Sequence, residues 1–148
     1  MPQLKIFIPI CLFFVATMLH AQTQNIHIKS GLTDAEKATV ALSAVYDFSG
    51  EQALAVKQIE TAKFKNLADV ASLKTTNITD FNQKRAAIAG IADSEIRDVL
   101  DARQRILFDK NAAAKLQKIN VMIAAWQKQK ISETGINEKL AAAAPDEF

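Results

Sequence analysis

From residue 32 onward the apolar residues of this chain recur three and four positions apart, and no stretch sustains an alternation of period two. That spacing gives an α-helix a stripe and leaves a strand without a face. Asn-Gly and Asp-Gly turn pairs are missing, and Ala, Lys, Gln, Leu and Glu dominate, residues that lose little side-chain freedom in a helix. The expected fold is all-α, with long antiparallel helices joined by short connections into a helical hairpin or bundle.

The helix starts are marked. Thr33, with Glu36 three residues on, opens a first helix running to about Tyr46, with Val40, Leu42, Ala44 and Val45 as its stripe. Ser49 with Gln52 opens a second, to about Leu73, carrying Val56, Ile59, Lys63, Leu67, Val70 and Lys74. After the polar break of Thr75, Thr76 and Asn77, Thr79 is the expected cap of a third helix with Phe81, Arg85, Ile88, Ala92, Ile96 and Val99 in register. Gly90 interrupts that pattern and points to a bend or a close approach of another backbone. Asp101 with Gln104 opens a fourth helix to about Ile131, with Phe108, Ala112, Leu116, Ile119, Ile123 and Trp126 on one side. Asp80 with Lys84, Asp93 with Arg97, and Asp101 with Arg105 stand in the favourable i,i+4 order. The helical domain spans residues 32–131, and residues 132–148 read as a short helix or a frayed tail.

Ahead of this domain lies an address. Residues 1–5 carry one positive charge, residues 6–19 are almost wholly apolar, and Ala21 precedes polar Gln22, the layout of a secretory signal peptide over residues 1–21. The apolar run is about 14 residues, short of the roughly 20 that span a bilayer, and no second run follows, so no membrane anchor is expected after cleavage. Cys11 falls inside the apolar stretch and reads as an ordinary signal residue. Residues 22–31 form a polar lead, read as flexible. The remainder has no cysteine, so an exported protein of this kind depends on helix packing alone, which suits a bacterial periplasm or secretion.

Catalytic parts are scarce. His27, in the lead, is the only histidine after the signal, and Met122 the only methionine. A histidine-assisted nucleophile, a multi-histidine metal site and a Glu-x-x-His di-iron site all lack components. No enzyme activity, cofactor or metal is expected. The formal charge is +2, from 18 Lys and Arg against 16 Asp and Glu, which gives no nucleic-acid footprint. Glu95, Asp98 and Asp101 read as a solvated helix end, and Asn77-Ile78-Thr79, although it matches a glycosylation sequon, as a helix start. Two readings are open for Phe64, Phe81, Phe108 and Trp126: core packing, or an exposed apolar face that binds a client protein.

One pattern recurs, an apolar residue, a capping residue, and Glu or Gln three further on: Leu32-Thr33-Asp34-Ala35-Glu36, Phe48-Ser49-Gly50-Glu51-Gln52 and Leu100-Asp101-Ala102-Arg103-Gln104. The last two copies stand 52 residues apart. Over residues 45–128 the chain resembles the Spy/CpxP family of periplasmic stress proteins, whose signature is a twice-occurring LTxxQ motif. Ser49 and Gln52 match the first copy and Asp101 and Gln104 the second, with Phe48 in place of Leu in one and Asp101 in place of Thr in the other. The resemblance implies a thin, curved, antiparallel helical homodimer that holds unfolded or aggregation-prone envelope proteins without ATP. Its regulatory branch implies the alternative, a non-enzymatic structural or regulatory module that docks to a specific envelope partner such as a sensor.

Overall fold

The computed structural model describes residues 32–143. The expected signal peptide (residues 1–21), the polar lead (22–31) and the last five residues of the expected tail lie outside that range. Within it are six helices and no strand: α1 (Asp34–Tyr46), α2 (Gly50–Asp69), α3 (Leu73–Thr76), α4 (Ile78–Val99), α5 (Ala102–Lys128) and α6 (Glu133–Ala142). α2 packs antiparallel against α1 and α4, and α6 lies on α4. The all-α, antiparallel expectation is met. No helix of the described residues is long and apolar enough to cross a membrane.

Three starts follow the capping signals closely. Thr33, Ser49 and Asp101 each accept a hydrogen bond from the backbone N–H three residues on, and Glu36, Gln52 and Gln104 each accept the N–H of the cap. The third long helix is different. Its cap is Asn77, whose Oδ1 accepts the Asp80 N–H at 3.1 Å, rather than Thr79; Asn outranks Thr as a cap, and two more residues thereby join the helix. α2 ends at Asp69, short of Leu73, because the chain tightens into i→i+3 turns, with the N–H groups of Ala71, Leu73 and Lys74 donating to Ala68, Val70 and Ala71. α5 stops at Lys128, where Lys130 adopts the left-handed conformation at φ 58°. There the Ile131 N–H donates to the Trp126 carbonyl and the Lys130 N–H to that of Gln127, the paired bonds of a Schellman stop. Residues 133–142 form a true helix, capped by Ser132 through the Gly135 N–H at 3.2 Å. Gly90 neither breaks α4 nor admits a close neighbour, since a Cβ there would meet nothing within 4 Å.

The core is concentrated at one corner. Tyr46, Val56, Ile96, Leu100 and Phe108 form its buried cluster, with Leu42, Phe48, Ile59 and Val99 packed against it. These residues flank the α1–α2 and α4–α5 connections, so the corner is where two helical turns meet. Tyr46 lies between Phe48 and Phe108, with ring centroids 6.0 and 5.6 Å away, and its hydroxyl accepts a hydrogen bond from Asn111 Nδ2 at 3.1 Å. Arg97 forks onto Asp109 of α5 at 2.7 and 2.9 Å rather than pairing with Asp93 of its own helix. Arg105 reaches back to the Arg97 and Asp98 carbonyls, placing a cation where the α4 dipole is negative.

Candidate functional site

The two motifs that carry the family resemblance meet at this corner. Gln52 Nε2 donates to Gln104 Oε1 at 2.7 Å, and Gln104 Nε2 donates back to Gln52 Oε1 at 3.2 Å. Each Oε1 also accepts the N–H of its own cap, Ser49 at 3.0 Å and Asp101 at 2.9 Å. Each Nε2 also donates across the corner, Gln52 to the Val99 carbonyl at 2.9 Å and Gln104 to that of Tyr46 at 2.9 Å and, more weakly, to that of Asp47 at 3.3 Å. A primary amide has two donors and two acceptor lone pairs, and both amides use all of them. The two capping boxes are thus one partly buried network that ties the end of α1 to the start of α5 and the end of α4 to the start of α2. Sequence reasoning identified the boxes and missed their union.

The remaining box stands apart. Glu36 accepts from the Thr33 N–H at 2.8 Å and from Lys57 Nζ of α2 at 2.8 Å. These contacts hold its carboxyl down at about 2, with the Lys57 hydrogen bond the largest cause and the Thr33 backbone bond next. Glu can fill this position because both partners are donors. A carboxylate could not fill position 52 or 104, where the side chain must also donate.

The four aromatic candidates are not brought together on one face. Phe81 and Phe108 are buried, each 8% exposed, so in this conformation neither is available to a client protein. Phe64 and Trp126 are half-buried. Lys63 Nζ lies 5.8 Å from the Phe64 ring centroid, and Lys139 Nζ of α6 lies 5.7 Å from that of Trp126.

The large exposed apolar residues are aliphatic, and Leu116, expected on the apolar stripe of its helix, is among them. Ile106, Leu116 and Val121 on α5 are 73%, 59% and 62% exposed, and Leu54 on α2 and Ile91 on α4 are similarly open. α5 carries six Arg and Lys against a single Asp, so a basic helix is concealed within a nearly neutral chain. Exposed aliphatic side chains and cationic groups thus share the surface of one helix.

Two further features mark the other end of α4. Glu60 is almost wholly buried and accepts from Lys63 Nζ, 3.2 Å from both carboxylate oxygens, which explains why a lysine stands on the apolar stripe of α2. Beside Lys63 is a cleft of about 200 Å³ walled by Leu67, Ala86, Ala89, Ile119 and Leu140 and bordered by Asn82 and Arg85. Among the described residues no group of three or more His, Cys, Asp or Glu side chains is placed to hold a metal ion. Comparison of the chain with models of known protein families, with curated proteins and with solved structures returns no match.

Proposed function

We propose that the protein is an exported, ATP-independent chaperone-like protein of the Spy/CpxP type, which holds non-native envelope proteins on an amphipathic helical surface and works as a homodimer. The observation that carries this reading is α5, where exposed Ile106, Leu116 and Val121 are interspersed with Arg103, Lys110 and Lys118. Basic groups draw a client in and aliphatic groups shield its apolar segments, a division of labour in which charge sets encounter and burial sets residence. The interlocked boxes support the reading by fixing the frame that presents this helix. A second copy would cover part of the remaining apolar surface.

The test is aggregation of a chemically denatured client, followed by light scattering, with the cleaved chain at substoichiometric and equimolar ratios. Suppression for several unrelated clients is expected, together with its loss in a Leu116→Ser, Val121→Ser variant whose unfolding transition is unchanged. Absence of any delay across those clients refutes the proposal. Sedimentation of the same sample tests the dimer.

A further inference from the structure

α6 sits in its place on α4 by its backbone. Asn82 Nδ2 donates to the Asn137 carbonyl at 2.9 Å, and the Arg85 guanidinium donates to the carbonyls of Leu140 at 2.6 Å and Ala143 at 3.3 Å. Burial of Arg85 lowers its pKa, and it stands where the last carbonyls of α6 and the negative end of its dipole converge. Side-chain hydrogen bonding is slight by comparison, one contact of 3.4 Å from Asn137 Nδ2 to Thr79 Oγ1 and another of 3.4 Å from Asn82 Nδ2 to Asn137 Oδ1, beside the Lys139 ammonium over the Trp126 ring. Donors aimed at main-chain carbonyls accept any sequence that presents those carbonyls.

α6 also leaves the seat incompletely used. The cleft of about 200 Å³ beside Leu140 stays open, larger than the ~150 Å³ that suffices for a benzene ring. Asn82 Oδ1, shut off from solvent at its edge, has no hydrogen-bond partner. A buried acceptor without a donor costs free energy that a better ligand recovers. The occupant itself is weakly held. α6 is 10 residues long, too short to be stable alone; it fully buries only Ala141, and it joins α5 through the left-handed Lys130.

We infer that this seat is a peptide-binding groove, and that α6 is its exchangeable resident. The ligand class is a short peptide segment of a non-native protein, with one bulky apolar side chain in the cleft, its carbonyls on Asn82 and Arg85, and an N–H on Asn82 Oδ1. This rests on the client-holding reading and adds to it a defined site, distinct from exposed Ile106, Leu116 and Val121.

Trp126 is the only tryptophan of the chain, and the ammonium of Lys139 over its ring makes it a reporter of α6. The probe is a fluorescein-labelled, amidated peptide of residues 133–142 carrying K139S and L140F, titrated into the full cleaved chain. Binding by anisotropy is expected, with a matching change in Trp126 emission as Lys139 departs. Leu140→Ala in the protein loosens the resident helix and tightens peptide binding about tenfold, the factor that ~1.4 kcal/mol of lost docking gives. Ala89→Leu fills the cleft and weakens it by a similar factor. Failure of the peptide to bind either the parent or the Leu140→Ala chain overturns the inference, as does binding without a change at Trp126 or binding indifferent to Ala89→Leu. Peptide exchange without any delay of client aggregation refutes client holding and leaves the groove standing. Client holding that persists without exchange refutes the groove alone.

Discussion

Gln104→Glu isolates the union of the two capping boxes from the boxes themselves. The substitution conserves shape, so it opens no cavity, and either carboxylate oxygen can still accept the Asp101 N–H, held at 2.9 Å by the native amide. What disappears is Nε2, which donates to the Tyr46 carbonyl at 2.9 Å, to Gln52 Oε1 at 3.2 Å and, more weakly, to the Asp47 carbonyl at 3.3 Å. A buried carbonyl left without its donor costs about 1–3 kcal/mol, and a carboxylate in a site only 9% exposed adds its own desolvation and repulsion from two oxygens. The expected loss is about 3–5 kcal/mol near neutral pH, within the range of a broken buried polar network.

The pH dependence supplies a second, independent sign. In the variant, burial and facing oxygens favour the neutral acid, so its folded-state pKa lies above its unfolded value and the native state binds more protons between the two. Stability therefore rises as pH falls through that interval, and the restored O–H can again donate toward Tyr46. Guanidinium titrations followed by far-UV circular dichroism at about pH 7 and about pH 5 measure both effects. Ser49→Ala, which removes one cap and leaves both amides, is expected to cost only about 1 kcal/mol. A Gln104→Glu penalty no larger than that of Ser49→Ala, or one that does not shrink on acidification relative to the parent, refutes the argument that the amides must both give and accept.

Three other outcomes are expected. Because the Glu36 carboxyl is held at about 2, below its ordinary 4.5, the stabilisation from its pairing with Thr33 and Lys57 is complete above about pH 4.5 and drains away as pH falls toward 2; Glu36→Gln should flatten that part of an acid-unfolding profile. Gly90→Ala, in mid-helix with open space around a new Cβ, should raise stability by about 1 kcal/mol, read as a higher denaturant midpoint at unchanged slope. Lys63→Ala strands the buried Glu60 carboxylate and should cost about 3–5 kcal/mol, whereas the Glu60→Leu, Lys63→Met double variant should recover most of that loss; equal penalties for both variants would show that the pair is not the cause.

Local chemistry was legible and long-range pairing was not. The starts at Thr33, Ser49 and Asp101 were readable because a capping box closes within four residues. The stop at Lys128 was not, because its left-handed position holds Lys130 where glycine is the usual marker. The i,i+4 charge pattern pointed Arg97 at its own helix, yet a bidentate fork onto Asp109 was open to it once α5 folded back. One signal of the Gln52–Gln104 union was present all along. Two boxes end in glutamine and one in glutamate, a difference of no consequence to a cap but decisive where the side chain must also donate. Of the aromatic candidates, spacing could not separate Phe108, seated among Tyr46 and its neighbours, from Trp126, half open beside α6.

Where the chain spends its burial determines what can move. The apolar cluster, the amide network and the Arg97–Asp109 fork all lie at the corner formed by the two helical turns, so opening that corner requires breaking them together. At the far end of α4, α6 is held chiefly by three bonds from Asn82 and Arg85 to backbone carbonyls, beside an unfilled cleft. Local opening costs least where apolar burial is sparse, so α6 can release without disturbing the frame. The exposed aliphatic residues of α5 need no opening at all. With few buried side chains among the described residues, the fold can keep one rigid joint and still present the two surfaces proposed above, one permanently open and one uncovered by exchange.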